Sequence, residues 1–228
     1  MKKFSTINCA KCDVLAKDRA CMNPAGQGGK GCPTLGKKKL GQKALLEYKK
    51  DDLKEFARQA SIQEAECYSD RDKMPYVMHP VKPRMLEIME FARKMNYRKL
   101  GFVFCAGLTK EAGVVARILE EQGFEVVSVL CKVGATPKEE ICLKDEEKVY
   151  RGQFESICNP VLQAMIVNEA KTDFNILLGL CVGHDSIYFK YAAAPTTVLA
   201  VKDRVTGHNP LACINTFGNY SSWLGNPV

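Results

Sequence analysis

The stretch 99–131, KLGFVFCAGLTKEAGVVARILEEQGFEVVSVLC, decides the fold of this chain. It begins with a short apolar run over 99–105 and continues with an amphipathic segment over 109–122 that ends at Gly123. A β-branched run over 125–131 closes it. Short apolar runs predict buried strands, and apolar residues at helical spacing predict a helix. The stretch therefore predicts a β-α-β unit.

The same alternation continues towards the carboxyl terminus. Asn159-Pro160 is a typical helix start, and the elements predicted from there are a helix to about 170, a strand over 174–181, a helix over 185–192 and a strand over 197–202. Strands that are apolar on both faces and alternate with helices are typical of a covered parallel sheet. We therefore predict an α/β fold with a Rossmann-like parallel sheet. Right-handed crossovers allow its first and third strands to flank a topological switch. The tail after Val205 has no clear element.

The chain before this sheet divides into two parts. Gly and Pro crowd the first forty residues, whereas apolar residues recur at helical spacing over 41–66, as one helix or as two with a break near Lys50-Asp51. A further helix is expected over 82–97, with Pro83 in its first turn. The predicted organisation is a cysteine-rich metal-binding segment (1–40), a helical segment that packs on the core (41–97) and a parallel α/β domain (98–228).

Eleven cysteines are the most distinctive feature of the composition, and the first four are Cys9, Cys12, Cys21 and Cys32, spaced C-x2-C-x8-C-x10-C-P. No apolar signal segment precedes them, and an odd number cannot all pair, so disulfides are not expected. No apolar run approaches the ~20 residues of a membrane span. We expect a cytoplasmic protein whose four N-terminal thiolates bind metal.

The spacing of these four cysteines bears on which metal they bind. Structural zinc sites commonly have two close-spaced ligand pairs, whereas only Cys9 and Cys12 are close here. The Cys-Pro pair at Cys32 is similar to ferredoxin-type sequences, although the spacing differs from theirs. The sequence favours an iron–sulfur cluster of the [4Fe-4S] type, with zinc as the alternative.

The positive charge is concentrated in the first fifty residues. They carry 12 Lys or Arg against 3 Asp or Glu, while the rest of the chain is close to neutral. Basic clusters attract phosphate, but lysines also offset the charge of a thiolate-bound metal. Because this segment contains only two aromatic residues for stacking bases, the sequence disfavours nucleic acid as a partner. A small molecule or a redox protein is the expected partner.

Three of the predicted strands end in cysteine, at Cys105, Cys131 and Cys181. Neighbouring strands lie ~4.8 Å apart and their carboxyl ends form the ligand crevice of an open α/β sheet, so these sulfurs are expected to meet. Cys158 precedes a helix start, where positive potential lowers a thiol pKa. We predict that these four cysteines are ligands of a second centre or redox thiols, with His184 as the catalytic proton-transfer residue. The alternative is that each cysteine packs as a small buried hydrophobe.

Several motifs together resemble a known family. They are the N-terminal cysteine pattern, the segment from Phe104 to Leu108, and the runs 180–186, 202–204 and 208–210. The chain is similar across essentially its whole length to an uncharacterised prokaryotic domain-of-unknown-function family labelled as predicted metal-binding proteins. The resemblance implies metal at the cysteines and a prokaryotic, anaerobic setting, and it names no reaction.

These observations lead to two functional hypotheses. The first is a metal-binding, iron–sulfur protein with a second cysteine-lined site for redox or small-molecule chemistry. The second is a zinc-binding sensor or adaptor module without turnover. Whether the protein is an enzyme stays open at this point.

Overall fold

The computed structural model describes residues 7–227, so the first six residues of the predicted cysteine-rich segment and residue 228 lie outside it. The chain divides into two compact units, one up to Ile62 and one from Gln63. This boundary lies inside a helix, and the three-part organisation predicted from the sequence stays a prediction.

The first unit consists of turns followed by helices. Short 3-10 turns cover Cys9–Lys11 and Ala16–Asp18, and the helices are α1 (Pro33–Gly36), α2 (Lys38–Glu47) and the start of α3 (Asp51–Glu66). The break between α2 and α3 agrees with the second of the two predicted alternatives. None of the described residues up to Ile62 is buried.

The second unit is built on a four-stranded sheet. Its strands are β1 (Lys99–Phe104), β2 (Glu125–Leu130), β3 (Phe174–Leu178) and β4 (Thr196–Ala200), in the order β2-β1-β3-β4 with every neighbouring pair parallel. The predicted α/β fold with a parallel sheet is confirmed. The strand order reverses between β1 and β3, as the crossover argument predicts.

Helices alternate with these strands. They are α4 (Arg84–Lys94), α5 (Thr109–Glu121), α6 (Pro160–Glu169), α7 (His184–Tyr191) and the short α8 (Leu211–Asn215). Val103, Val129 and Leu177 from three strands form one core cluster with Ala164 of α6 and Tyr188 of α7. In β1 and β3 the strand residues on both faces are buried, which explains the near-continuous apolar runs of these two strands.

Three predicted boundaries need correction. The third strand ends at Leu178 rather than at residue 181, because Gly179 has a φ of +68° that extended strands do not adopt. Pro83 is the N-cap of α4, with an extended ψ of 152°, and does not lie in its first turn. The tail contains α8, which periodicity missed because five residues are too few to show a period. Across the described part of the chain, no helix has both the length and the apolar character needed to cross a bilayer.

Candidate functional site

Cys105 and Cys131 lie side by side at the carboxyl edge of the sheet. They directly follow the paired residues Phe104 and Leu130, and the Cys131 amide donates to the Phe104 carbonyl over 2.9 Å. Cys105 is 8% exposed and Cys131 is 1% exposed. The Ala106 amide donates to the Cys131 Sγ over 3.3 Å, and the two cysteines belong to one buried core cluster. Strand register alone explains this pair.

Cys158 reaches the same place by a different route. The excursion between β2 and α6 folds back on itself, since the Ile157 amide donates to the Thr136 carbonyl over 2.8 Å. The Asn159 amide then donates to the Cys131 carbonyl over 2.7 Å, which fixes the end of the excursion against β2. As predicted, the Asn159 side chain caps α6. The half-buried Cys158 packs against the core cluster that contains Cys105 and Cys131, and Cys131 interacts with both other cysteines. We call Cys105, Cys131 and Cys158 the thiol row.

His184 completes this group. It is the first residue of α7, and it follows Gly183, whose φ of +88° allows the sharp turn into the helix. Its imidazole interacts with the Cys158 thiol, and its Nδ1 is buried without a hydrogen-bond partner among the described residues. Such a histidine can exchange a proton with the thiol beside it.

The members of the thiol row shift each other's pKa in opposite directions. Hydrogen bonds from Cys131 and then His184, together with the positive charge of Lys132, lower the pKa of Cys158. The Cys131 hydrogen bond, with Lys202 contributing, also lowers the pKa of Cys105. The two neighbouring cysteines raise the pKa of Cys131 in turn, and Cys158 raises the pKa of His184. The row therefore favours two thiolates with one protonated thiol between them, a pattern suited to thiol redox chemistry.

Two lysine side chains, Lys202 and Lys132, lie beside the row. A Cβ on Gly107 would lie 3.1 Å from the Lys202 Nζ and 3.9 Å from the Cys105 Sγ, so the ammonium and the thiol occupy the same corner. The Lys132 Nζ donates to the Ser156 carbonyl. The signal that could have found Lys202 is its position two residues after the end of β4.

Cys181 does not end a strand, contrary to the prediction. β3 ends three residues earlier, and the half-buried Cys181 Sγ accepts a hydrogen bond from the Arg204 Nη2 over 3.0 Å. Of the four crevice cysteines that the sequence suggests, the contacts assemble Cys105, Cys131 and Cys158 with His184, and they place Cys181 with Arg204.

The four N-terminal cysteines line one cavity of about 360 Å³ within the first unit. Cys9 and Cys21 are exposed, and Cys12 and Cys32 are half-buried. A Cβ on Gly28 would lie 2.6 Å from the Cys32 Sγ, so this position has room only for glycine. The backbone amides of the first turn of α1 lower the pKa of Cys32, with Leu35 the largest contribution. Four thiols around one cavity are a donor set that suits zinc or an iron–sulfur cluster. Among residues 7–227, however, no three His, Cys, Asp or Glu side chains are gathered closely enough to hold one ion.

The remaining cysteines have other surroundings. Cys67 is buried, and its Sγ donates to the Gln63 carbonyl over 3.1 Å, as expected of a packing residue. Cys142 is exposed with a φ of +62°, and Cys213 is half-buried near the carboxyl terminus.

Two comparisons place the chain among known proteins. A family described as "Protein of unknown function (DUF1847)" matches residues 32–199, a range that includes the thiol row and His184. A protein of Methanocaldococcus jannaschii described as uncharacterized is 43% identical over 188 residues, which cover 82% of this chain and 88% of that protein. No solved structure matches the chain. The resemblance to a family of unknown function is confirmed: this chain belongs to the DUF1847 family.

Proposed function

We propose that this protein is a thiol-based redox protein whose thiol row exchanges electrons with a sulfur-bearing small molecule or a redox partner. The observation that carries the proposal is the contact of Cys131 with both Cys105 and Cys158, next to His184. One protonated thiol between two thiolates provides a nucleophile, a second thiol that can displace the product, and a base for its proton.

The solvent exposure of each cysteine assigns its role within the thiol row. Cys158 is half-buried while Cys131 is 1% exposed, so a substrate meets Cys158 first. The Cys158 thiolate attacks a disulfide RS–SR′, forming a mixed disulfide with RS and releasing R′S⁻. Cys131 then transfers its proton to the Cys105 thiolate and attacks the Cys158 sulfur, releasing RS⁻. The protein ends with a Cys131–Cys158 disulfide and a Cys105 thiol, and the substrate has gained two electrons.

His184 has a supporting role in this scheme. Its imidazole interacts with Cys158, so a protonated His184 holds the attacking sulfur as a thiolate. A structural histidine would leave the pH dependence of the reaction unchanged when replaced, whereas this one should shift it. His184→Asn is therefore expected to move the onset of Cys158 reactivity to higher pH.

The second part of the proposal is a metal centre on the four N-terminal cysteines, with an iron–sulfur cluster favoured over zinc. What supports it is the cavity that all four line, in a unit whose described residues, 7–62, include no buried one. Such a centre, when bound, supplies folding energy and, if it is an iron–sulfur cluster, electron transfer. Zinc in a colourless protein would favour the sensor or adaptor hypothesis.

Disulfide mapping tests the first part. Reduced protein, purified without oxygen, is treated with 2-hydroxyethyl disulfide and its cysteine peptides are identified by mass spectrometry. The wild type should form the Cys131–Cys158 disulfide, and Cys131→Ser should accumulate the mixed disulfide at Cys158. Cys142→Ser, which alters an exposed cysteine away from the row, is the matched control and should behave as the wild type. Absence of any bond to Cys158, or iron that disappears in Cys158→Ser, would contradict thiol redox chemistry and favour a second metal centre.

A further inference from the structure

Three cationic side chains, Lys132, Lys202 and Arg204, follow the carboxyl ends of β2 and β4. The Lys202 Nζ lies beside Gly107 in the same corner as the Cys105 Sγ, and Arg204 donates to the Cys181 sulfur over 3.0 Å. Lys132 acts electrostatically on both Cys158 and His184. Lys132 and Lys202 thus lie beside the thiol row, after the ends of β2 and β4, and Arg204 lies beside Cys181.

The half-buried Lys132 and Lys202 differ from the other buried or half-buried lysines of the second unit. Each of those forms an ion pair with a glutamate, and they are Lys82, Lys94, Lys99, Lys138 and Lys148. Within residues 7–227, by contrast, none of the three crevice cations forms an ion pair with a carboxylate. The groups they approach are sulfur atoms: Lys202 lies beside Gly107 with the Cys105 Sγ, and Arg204 donates to the Cys181 Sγ.

The acidic residues near the crevice are engaged in their own turns. The Asp185 Oδ1 accepts from the amides of Gly183 and Ser186 over 3.0 and 2.7 Å. The Asp203 Oδ1 accepts from the amides of Val205 and Thr206, each over 3.0 Å. Neither carboxylate forms an ion pair with Lys202 or Arg204, so both side chains retain N–H donors for a further ligand. Arg204 has five such donors, and its hydrogen bond to Cys181 uses one of them.

We infer that the substrate of the thiol row is a low-molecular-weight disulfide that carries carboxylate groups, which Lys202 and Arg204 bind at the mouth of the crevice. This inference rests on the proposed thiol redox function. Arginine holds a carboxylate through two parallel hydrogen bonds, and a charged mouth raises the encounter rate of an oppositely charged substrate.

The reaction itself adds a second reason for positive charge. Forming the Cys131–Cys158 disulfide consumes the Cys158 thiolate and transfers the Cys131 proton to Cys105, so the protein loses two negative charges. The same two charges appear on the released RS⁻ and R′S⁻. Fixed cations that remain in place stabilise these leaving thiolates as they form.

Three disulfides of nearly equal size test the inference. They are 3,3′-dithiodipropionate with two negative charges, 2-hydroxyethyl disulfide with none, and cystamine with two positive charges. The measured quantity is the rate of disulfide formation at Cys158, followed by peptide mass spectrometry. At low salt we expect the dianion to react at least tenfold faster than the dication. The ratio of these two rates should shrink in 0.5 M salt, because dissolved ions screen charges beyond about 10 Å at 0.1 M and beyond shorter distances at higher salt.

Variants assign the selectivity to named side chains. Lys202→Gln and Arg204→Gln should each lower the dianion-to-dication ratio at least threefold, whereas Lys190→Gln, an exposed lysine on α7, changes the net charge equally and should leave the ratio unchanged. The ratio cancels any change in intrinsic thiol reactivity. Equal rates for all three probes, or a ratio that survives both variants, would overturn the inference and leave thiol redox chemistry intact. No reaction at Cys158 with any probe would overturn both.

Discussion

The four N-terminal cysteines lie in a unit where no described residue up to Ile62 is buried, whereas Cys105 and Cys131 at the sheet are 8% and 1% exposed. The first set is held by turns, and the second set is held by paired strands. A turn-rich segment cannot bury enough apolar area to offset an ordering cost of ~1–2 kcal/mol per residue, whereas a bound metal can contribute ~10 kcal/mol or more. The comparison teaches that paired strands position thiols by means of a core, whereas a segment of turns needs another source of stability, for which we propose a bound metal.

The largest effect is expected from removing the ligand. Cys9→Ser combined with Cys12→Ser should reduce bound metal to background and raise the rate of proteolysis within residues 7–40 by at least tenfold, since none of the described residues up to Ile62 is buried. The reactivity of the thiol row should stay as in the wild type. Metal analysis and limited proteolysis measure both. Cys142→Ser is the control, and unchanged metal in the double variant would refute the N-terminal centre.

The second effect is the loss of core support at the crevice. A Cβ on Gly179 would lie 2.2 Å from the Leu108 Cδ1, and the φ of +68° adds backbone strain. Gly179→Ala should therefore destabilise the second unit by about 1–3 kcal/mol and leave the N-terminal metal loaded. Urea unfolding, followed by a spectroscopic signal of the sheet, measures this change in the free energy of unfolding. Gly113→Ala on α5, where a Cβ meets no atom within 4 Å, should be neutral or stabilising. Equal urea midpoints for Gly179→Ala and Gly113→Ala would show that the turn after β3 accommodates the added methyl group without loss of stability.

A third effect concerns pH at the excursion that positions Cys158. The Lys138 Nζ lies 2.7 Å from the Glu155 Oε1, and pairing with Lys138 lowers the pKa of Glu155 to about 2. Because the folded pKa is depressed, this carboxylate stabilises the excursion fully above its ordinary pKa near 4.5, and the contribution is lost as the pH falls towards 2. Hydrogen-exchange protection over 137–157 should fall several-fold between pH 6 and pH 3. Glu155→Gln should show the low protection already at pH 6, and the exposed Glu140→Gln should not. Constant protection across this range would refute the role of the pair.

The smallest effect is expected beside Cys105. Gly107→Ala would push the Lys202 Nζ by a few tenths of an ångström, since the new Cβ would lie 3.1 Å from it. Because the ammonium favours the thiolate, Cys105 should react roughly two- to threefold more slowly with iodoacetamide at pH 6. Gly113→Ala serves as the control for adding a methyl group. Unchanged reactivity would mean that the Lys202 ammonium beside Gly107 does not stabilise the Cys105 thiolate.

The predictions from sequence were most accurate where local pattern determines structure. The apolar runs at 99–105 and 125–131 identified β1 and β2 within one residue, and the cysteine that follows each strand was placed correctly at the sheet edge. The prediction was wrong for the strand before Cys181, because an apolar run continues through Gly179 while the backbone does not. Periodicity reports which residues are buried, and it does not report where the backbone turns.

By itself the sequence determined the parallel sheet, its topological switch and the meeting of Cys105 with Cys131, because strand pairing and side-chain alternation are local rules that the residues obey. Only the tertiary structure decided that Cys158 joins them, since the hydrogen bond from Asn159 to Cys131 joins residues 28 positions apart. It also decided that Lys202 reaches Cys105 across the sheet while Cys181 binds Arg204. Contacts between distant segments depend on how the whole chain packs, and no spacing of residue types encodes them.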